Sequence, residues 1–196
     1  MKFSYSKEVL MISVVTISRQ LGSGGSELAK KIAELCDFHL IWREVINQAA
    51  IKIGAPEVAL AMIDELGLFG LFPDEATCSA YCTAVQQVMF KYAESGNVVI
   101  VGRASQMILK DYPNTLHIRV IADLNTRIQT LSKTKKITQQ AARSQIIKSD
   151  SSRQKYLKDF YQVDLNDPAL YDITLNSGRI SIDQASAWIS SLIKTF

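Results

Sequence analysis

The sequence has few of the residues that build metal centres and disulfide frameworks. It contains only two histidines, His39 and His117, and three cysteines. An odd number of cysteines in a chain without a secretion signal indicates reduced thiols and a cytoplasmic protein. Cys78 and Cys82 share a helix face. With both histidines in apparent strands and no second cysteine pair, burial of the thiols is favoured over a metal site.

Long apolar runs and strong charge of one sign are also missing. No run reaches the length of a membrane span, and the N-terminus "MKFSYSKEVL" lacks the apolar core of a signal peptide. The net charge of +3 comes from scattered basic residues. We therefore expect no membrane or nucleic-acid partner, whereas an anionic small ligand fits. Met11 is a candidate start of the fold, which would make residues 1–10 an extension.

Short apolar runs alternate with helical patterns along the whole chain, and no repeat or linker divides it. Nearly unbroken runs are typical of parallel strands buried on both faces, so the alternation predicts one three-layer α/β domain over residues 1–196. Ser181 is a predicted helix N-cap. The runs that predict strands are Ile12 to Ile17, Phe38 to Ile41, Val98 to Val101, Leu116 to Ile121 and Ile173 to Leu175.

Two helical stretches depart from this rhythm, at about 44–95 and about 135–162. The second is basic and carries few large apolar anchors before Tyr156. Segments of this kind can close over ligands held at the carboxyl ends of the strands. The alternative is that both are ordinary surface helices.

A glycine-rich turn follows the first predicted strand. "GSGGS", from Gly22 to Ser26, lies directly before a helix. Successive backbone N–H groups and a helix N-terminus in such a turn can all point at one phosphate, which glycine allows to approach closely. A glycine turn that serves only the geometry of the chain remains the alternative.

The turn lacks the lysine that usually reaches the β- and γ-phosphates, because Gly25 stands in its place. Arg19, at the end of the preceding strand, could supply the missing charge through its planar fork of donors. In that case Arg19 points towards the cradle, and Arg19→Ala lowers kcat about tenfold or more. The alternative is a solvated arginine at a strand end.

Several segments together resemble the cytidylate kinase-like family of P-loop nucleotide kinases. They are "SRQLGSGGSELAKKIAE", "VVIVGRASQMIL", "LHIRVIADLNTRI" and the stretch from "IIKSDSSRQKYLKDFYQVDLNDPALYD" to "ISIDQA". The glycine loop alone is weak evidence. The combination of "GR" after the third strand with "DxxRxxYLxxFYxVDxxDPxLYD" is far more specific, and the lysine-less loop is common in that family.

The resemblance implies a nucleoside monophosphate kinase-like fold with a five-stranded parallel core. It implies a helical acceptor-binding insert at about 44–95 and a basic lid at about 135–162. The implied activity is transfer of the ATP γ-phosphoryl group, with Mg²⁺, to a nucleoside monophosphate, cytidylate by analogy. An ionised acceptor phosphate needs no general base, which agrees with the absence of a catalytic triad.

The resemblance also implies a role for each matching residue. Gly22, Ser23, Gly24, Gly25 and Ser26 would cradle the donor phosphates, with Ser26 on the metal. Arg43 and Arg103 would hold the acceptor, and Arg127 would lie against the donor base. Lys148, Asp150 and Arg153 would close on the transferring phosphoryl group, next to Arg19.

Four positions depart from related cytidylate kinases. Trp42 and Ala104 stand where acidic residues are expected, Thr130 replaces an arginine, and Asn176 replaces an acid. A cytosine amino group needs an acceptor partner, so the first two departures bear on acceptor choice.

Three functions therefore stay open at the level of the sequence. They are a nucleotide kinase, a nucleotide-binding protein of the same fold with little turnover, and a P-loop kinase with a non-nucleotide acceptor. The sequence leaves the oligomer open as well, since "LGLFGLF", from Leu66 to Phe72, is either a homodimer contact or a buried turn.

Overall fold

The computed structural model describes residues 11–54 and 75–195, and it places every predicted strand in one sheet. The five strands are all parallel, in the order β2-β3-β1-β4-β5. They span Val14–Arg19, His39–Ile41, Val98–Val101, Thr115–Ile121 and Ile173–Asn176, as β1 to β5. The predicted five-stranded parallel α/β fold is confirmed.

Helices cover both faces of this sheet. They are α1 (Gly25–Cys36), α2 (Glu44–Ile53), α3 (Glu75–Ser95), α4 (Ser105–Ile108), α5 (Leu124–Lys135), α6 (Gln139–Tyr161) and α7 (Ile182–Thr195), with a 3-10 turn at Pro168–Leu170. Ser181 caps α7, because its hydroxyl accepts from the Gln184 N–H while the Gln184 side chain accepts from the Ser181 N–H. None of the described helices is long and apolar enough to cross a membrane.

The alternation of side chains along β1 divides the core between the two faces. Val14 packs with α2 and α3, whereas Val15 and Ile17 pack with α1 and α7. All three side chains are fully buried. The glycine loop therefore leaves β1 between two packed layers, at the carboxyl edge of the sheet where parallel α/β folds bind ligands.

The helices α5 and α6 form an antiparallel pair beside that edge. Ile128, Leu131, Ala142 and Ile146 make their shared apolar contact, and Ile146 is fully buried. Of the α6 residues before Tyr156, Ile146 is the one large apolar side chain that is buried, which agrees with the expectation of few large apolar anchors there. The Leu66–Phe72 segment and residues 1–10 lie outside the described residues, and so does the side chain of Cys78.

Candidate functional site

The glycine loop is built against the end of β4. The Ser23 hydroxyl donates to the carbonyls of Gln20 at 2.9 Å and Val120 at 3.1 Å, and the Gln20 side chain accepts from the Ala122 N–H. Ser177, in the turn before α7, donates to the Ser23 carbonyl at 2.7 Å. These contacts fix the loop in one shape before any ligand binds.

The loop glycines are required by close packing. Gly22 has φ 83°, and a Cβ on it would lie 2.6 Å from the Arg127 carbonyl oxygen. Gly24 has φ 76° and caps α1 in the left-handed region. A Cβ on Gly24 would meet Ile182 at 3.0 Å. Any side chain at Gly22 would therefore push the loop away from α5.

The sequence predicts an anion cradle at the N–H groups that begin α1. In the described part of the chain, no protein acceptor is bonded to the N–H groups of Gly24, Gly25 or Ser26. These donors are the ones a helix N-terminus leaves for a ligand. Ser23 differs, because its N–H donates to the Gln20 carbonyl at 3.2 Å. The expectation that Ser23 presents its N–H to phosphate is wrong, and its role is to shape the loop.

Arg103 lies just after β3, on a backbone that side chains rarely adopt. Gly102, Arg103 and Ala104 have φ of 78°, 60° and 53° in succession. Left-handed residues of this kind cost free energy and cluster at functional sites. The turn buries the Arg103 side chain to 8% exposure at the carboxyl end of its strand. An arginine that is both strained in backbone and buried has the features of a ligand-binding residue.

The charges of three other arginines act on Arg103. Burial lowers the pKa of Arg103 to about 10, Tyr156 opposes this shift, and the positive charges of Arg19, Arg153 and Arg43 lower the pKa further. At neutral pH the guanidinium still carries its proton. We call Arg19, Arg43, Arg103 and Arg153 the arginine cluster. Like charges gathered in this way repel one another, and a polyanion between them would relieve that repulsion.

The cluster draws on different parts of the chain. Arg19 ends β1, and its guanidinium lies 5.9 Å from the centre of the Trp42 ring, in cation–π geometry. Arg43 is exposed at the start of α2. Arg153 is buried on α6 and donates to the Arg19 carbonyl at 3.0 Å. The structure thus brings together Arg19 and Arg153, predicted for catalysis, with Arg43 and Arg103, predicted for the acceptor.

Arg127 and Asp150 bind each other. Nη1 of Arg127 lies 3.0 Å and 2.8 Å from the two carboxylate oxygens of Asp150, which joins α5 to α6. The Arg127 Nε is buried without a hydrogen-bond partner. Lys148 is exposed on α6. The donor-base role of Arg127 and the phosphoryl role of Asp150 stay predictions.

The last part of the motif that is most specific for the family, from Asp164 to Asp172, has a structural role. Arg119 donates to Tyr171 at 3.1 Å and to Asn166 at 2.9 Å, and Tyr171 donates to the Leu165 carbonyl. Asp167 caps the 3-10 turn at Pro168–Leu170. These bonds pin the chain after α6 to β4. They fix where Arg153 enters the site, although they contact no cluster residue themselves.

The departures from related cytidylate kinases have structural counterparts. Trp42 packs against Arg19, and Ala104 is buried with Tyr156 and Leu157 in an apolar cluster. Asn176 accepts from the Gly178 N–H, and Thr130 is exposed on α5. At position 42 an aromatic ring therefore takes the place of an acceptor carboxylate, and at position 104 a small apolar side chain does so.

Sequence reasoning did not foresee Trp42 and Tyr156 as neighbours of the arginines. Trp42 directly follows β2, and an aromatic residue at a strand's carboxyl end is the signal that could have indicated it. Tyr156 has no comparable local signal, because the long helix α6 brings it there. Among the described residues, no group of His, Cys, Asp or Glu could hold a metal ion.

Comparison with known proteins supports this description. Cytidylate kinases from Methanocaldococcus jannaschii and Pyrococcus horikoshii are each 26% identical to the chain, over 92% of its length and over 97% and 88% of theirs. A structure of an uncharacterized protein from Eubacterium ventriosum covers 94% of the chain and 99% of its own, with TM-score 0.74 and 23% identity. A shikimate kinase from Acinetobacter baumannii covers 94% of both chains, with TM-score 0.53 and 13% identity.

The sequence profile of the cytidylate kinase-like family matches residues 14–179. That range begins with β1 and includes the glycine loop, the arginine cluster and the Arg119–Tyr171 anchor. The resemblance inferred from the sequence is thereby confirmed. The chain belongs to the cytidylate kinase-like family.

Proposed function

We propose that the protein transfers the γ-phosphoryl group of ATP to the phosphate of a nucleoside monophosphate. The observation that carries this proposal is the arginine cluster beside the glycine loop. The cradle offers unpaired N–H donors for one set of phosphates, and the buried Arg103 lies among three more arginines. Two phosphorylated molecules that meet at one edge of the sheet would bind both the N–H groups of the cradle and the arginine cluster.

The donor phosphates bind at the start of α1. The N–H groups of Gly24, Gly25 and Ser26 point there, and the 12-residue helix adds the positive end of its dipole. Mg²⁺ bound between the donor phosphates would neutralise charge that develops during transfer. The Ser26 hydroxyl fits as its protein ligand, since Mg²⁺ in such sites is held mostly by phosphates and water.

The acceptor phosphate binds Arg103 and Arg43. Arg103 comes from a rigid turn after β3, and Arg43 comes from the start of α2, at the base of the predicted acceptor-binding insert. Guanidinium groups bind a phosphate through paired donors, which fixes its orientation as well as its charge. The acceptor is thereby aimed at the donor loop.

The reaction needs positioning and positive charge rather than a base. An oxygen of the ionised acceptor phosphate attacks the γ-phosphorus, the bond from that phosphorus to the β-phosphate oxygen breaks, and ADP leaves with the bonding electrons. No proton has to be removed from the acceptor. In this proposal Arg19 and Arg153 neutralise charge on the transferred group, and one such donor is typically worth about 3 kcal/mol.

Trp42 and Ala104 bear on which monophosphate is used. Neither can accept a hydrogen bond from a cytosine amino group through its side chain. We therefore infer that the base is selected by stacking and shape, with cytidylate as one candidate. Reduced thiols at Cys36 and Cys82 and the mild charge support a cytoplasmic protein whose partners are nucleotides.

ADP release from ATP and Mg²⁺ across a panel of nucleoside monophosphates tests the proposal. We expect turnover with at least one of them. The matched control is Lys194→Ala, which removes an exposed charge in the last turn of α7. That turn lies about 18 Å along the helix from the end near Gly24. Tight ATP binding without turnover across the panel would contradict the kinase and favour the nucleotide-binding alternative.

A further inference from the structure

The glycine loop differs from the usual phosphate-loop pattern at two positions. That pattern is G-x-x-x-x-G-K-[ST], and "RQLGSGGS" from Arg19 to Ser26 matches it at Gly24 and Ser26. Arg19 stands where the pattern has its first glycine, and Gly25 stands where it has the lysine. The chain thus has a cation in place of glycine and glycine in place of a cation.

In the structure these two positions are in contact. A Cβ built on Gly25 would lie 2.5 Å from the Arg19 Cβ and 3.2 Å from the Arg19 Cγ, with the Val120 Cβ farther away than the Arg19 Cβ, at 3.1 Å. Carbon atoms that are not bonded do not approach so closely. The Arg19 stem therefore fills the space in which a lysine at position 25 would begin, so the two side chains exclude each other.

The backbone gives no other reason for a glycine at position 25. Gly25 is the first residue of α1, and it is not among the loop glycines with positive φ. A glycine inside a helix is less stable than alanine unless its lack of a side chain serves a purpose. The close approach of Arg19 supplies that purpose.

The Arg19 side chain carries its charge to the arginine cluster. Its guanidinium lies over the Trp42 ring, and its charge is felt at the buried Arg103. Trp42 gives the guanidinium a surface to stack on and limits its rotation, which a lysine on a flexible stem would lack.

We propose that Arg19 and Gly25 are an exchanged pair, in which the cation of the phosphate loop has moved from the seventh position of the pattern to the first. Arg19 then contacts the terminal phosphates of the donor, and Gly25 is glycine because Arg19 occupies the space beside it. This inference rests on the proposed function for the identity of the donor. The exclusion between the two side chains rests on packing alone.

A double-mutant cycle of Arg19→Gly, Gly25→Lys and the combined variant tests the exchange. Each single change should lower kcat/KM about tenfold or more, the first by removing the cation and the second by steric overlap. The combined variant restores the usual pattern, so it should recover most of the loss. Losses that simply add in the combined variant would overturn the proposal.

Two further measurements do not require turnover. Gly25→Ala should lower the melting temperature clearly more in the wild-type background than in the Arg19→Gly background, where only the 3.1 Å contact with the Val120 Cβ remains. Equal effects in both backgrounds would contradict the exclusion. They would leave the kinase proposal untouched.

Binding of inorganic triphosphate with Mg²⁺ isolates the charge contact. Arg19→Gln keeps the stem against Gly25 and removes the charge, so it should weaken binding about tenfold, whereas Arg19→Lys should lose less. Equal affinity of wild type and Arg19→Gln for triphosphate would overturn the role of Arg19. If triphosphate binding follows this order while every nucleoside monophosphate fails as an acceptor, the exchange stands and the proposed function fails.

Discussion

Arg103 is the residue on which acceptor binding depends most in this account. It is buried, its backbone is left-handed, and its charge lies among like charges. Arg103→Ala should raise the KM for the monophosphate about tenfold or more and leave the affinity for ATP nearly unchanged. Steady-state kinetics and calorimetry measure the two effects, with Lys194→Ala as the control. An equal loss of both affinities would contradict the assignment.

His117 is a buried residue whose protonation affects stability rather than catalysis. Its Nδ1 lies 2.7 Å from the Thr16 hydroxyl between β1 and β4. Burial lowers the pKa of His117, and Asp172 only partly opposes this shift. The unfolded chain therefore takes up a proton more readily than the folded one. The resulting stability is present above about pH 6.5 and is lost as the pH falls through the lowered pKa.

Urea unfolding measured from pH 8 to pH 5 checks this expectation. The free energy of unfolding should fall below about pH 6.5, with a contribution from His117 of at most about 1.4 kcal/mol per pH unit. His117→Gln should flatten that part of the profile. An unchanged slope in the variant would assign the pH dependence to other groups.

At the scale of elements, the Arg127–Asp150 pair couples α5 to α6. The Arg127 side chain is only 7% exposed, so Asp150→Ala would leave a buried charge without its partner. We expect a loss of about 1–3 kcal/mol in the free energy of unfolding. Asp159→Ala is the matched control, because Asp159 pairs with Lys155 on the surface of the same helix. A surface pair of this kind contributes at most about 0.5 kcal/mol. Similar losses in both variants would contradict the coupling.

The helix α6 is also the element that we expect to move as a lid. Outside its apolar contacts it is held to the rest of the site by Arg153 on the Arg19 carbonyl and by Asp150 on Arg127. Without nucleotide its amides should exchange with deuterium faster than those of α1, and ATP with an acceptor should slow that exchange. If the α6 amides exchange as slowly as those of α1, with or without nucleotide, the helix is fixed and the lid prediction is wrong.

The elements differ in how far the sequence determines them. Every strand lies within a residue or two of its predicted run, because parallel strands buried on both faces leave nearly continuous apolar segments. The sequence does not predict that Ala142 and Ile146 pack against α5, because their burial depends on how α5 and α6 meet. The spacing of apolar residues along a helix does not show which neighbouring helix they contact.

Across the whole molecule, the sequence predicts the family and the place of the site better than the roles of its residues. Gly24 and Gly25 could be identified because they lie in the glycine-rich turn between β1 and α1, and Arg103 because it lies just after β3. The convergence of Arg19 and Arg153 was expected only through the family resemblance, since these residues are far apart in sequence and meet through α6. The reason for a glycine at position 25 could not be predicted from the sequence, because the side chain that excludes a lysine there, Arg19, belongs to β1.

Transfer of label from γ-labelled ATP tests the central claim most directly. ATP labelled on its γ-phosphate is incubated with Mg²⁺ and each nucleoside monophosphate, and the products are separated by chromatography. The account predicts that label appears in a nucleoside diphosphate for at least one acceptor, and that Arg103→Ala reduces this product about tenfold or more while Lys194→Ala does not. Label that stays on ATP with every acceptor, or that appears only as inorganic phosphate, would contradict it.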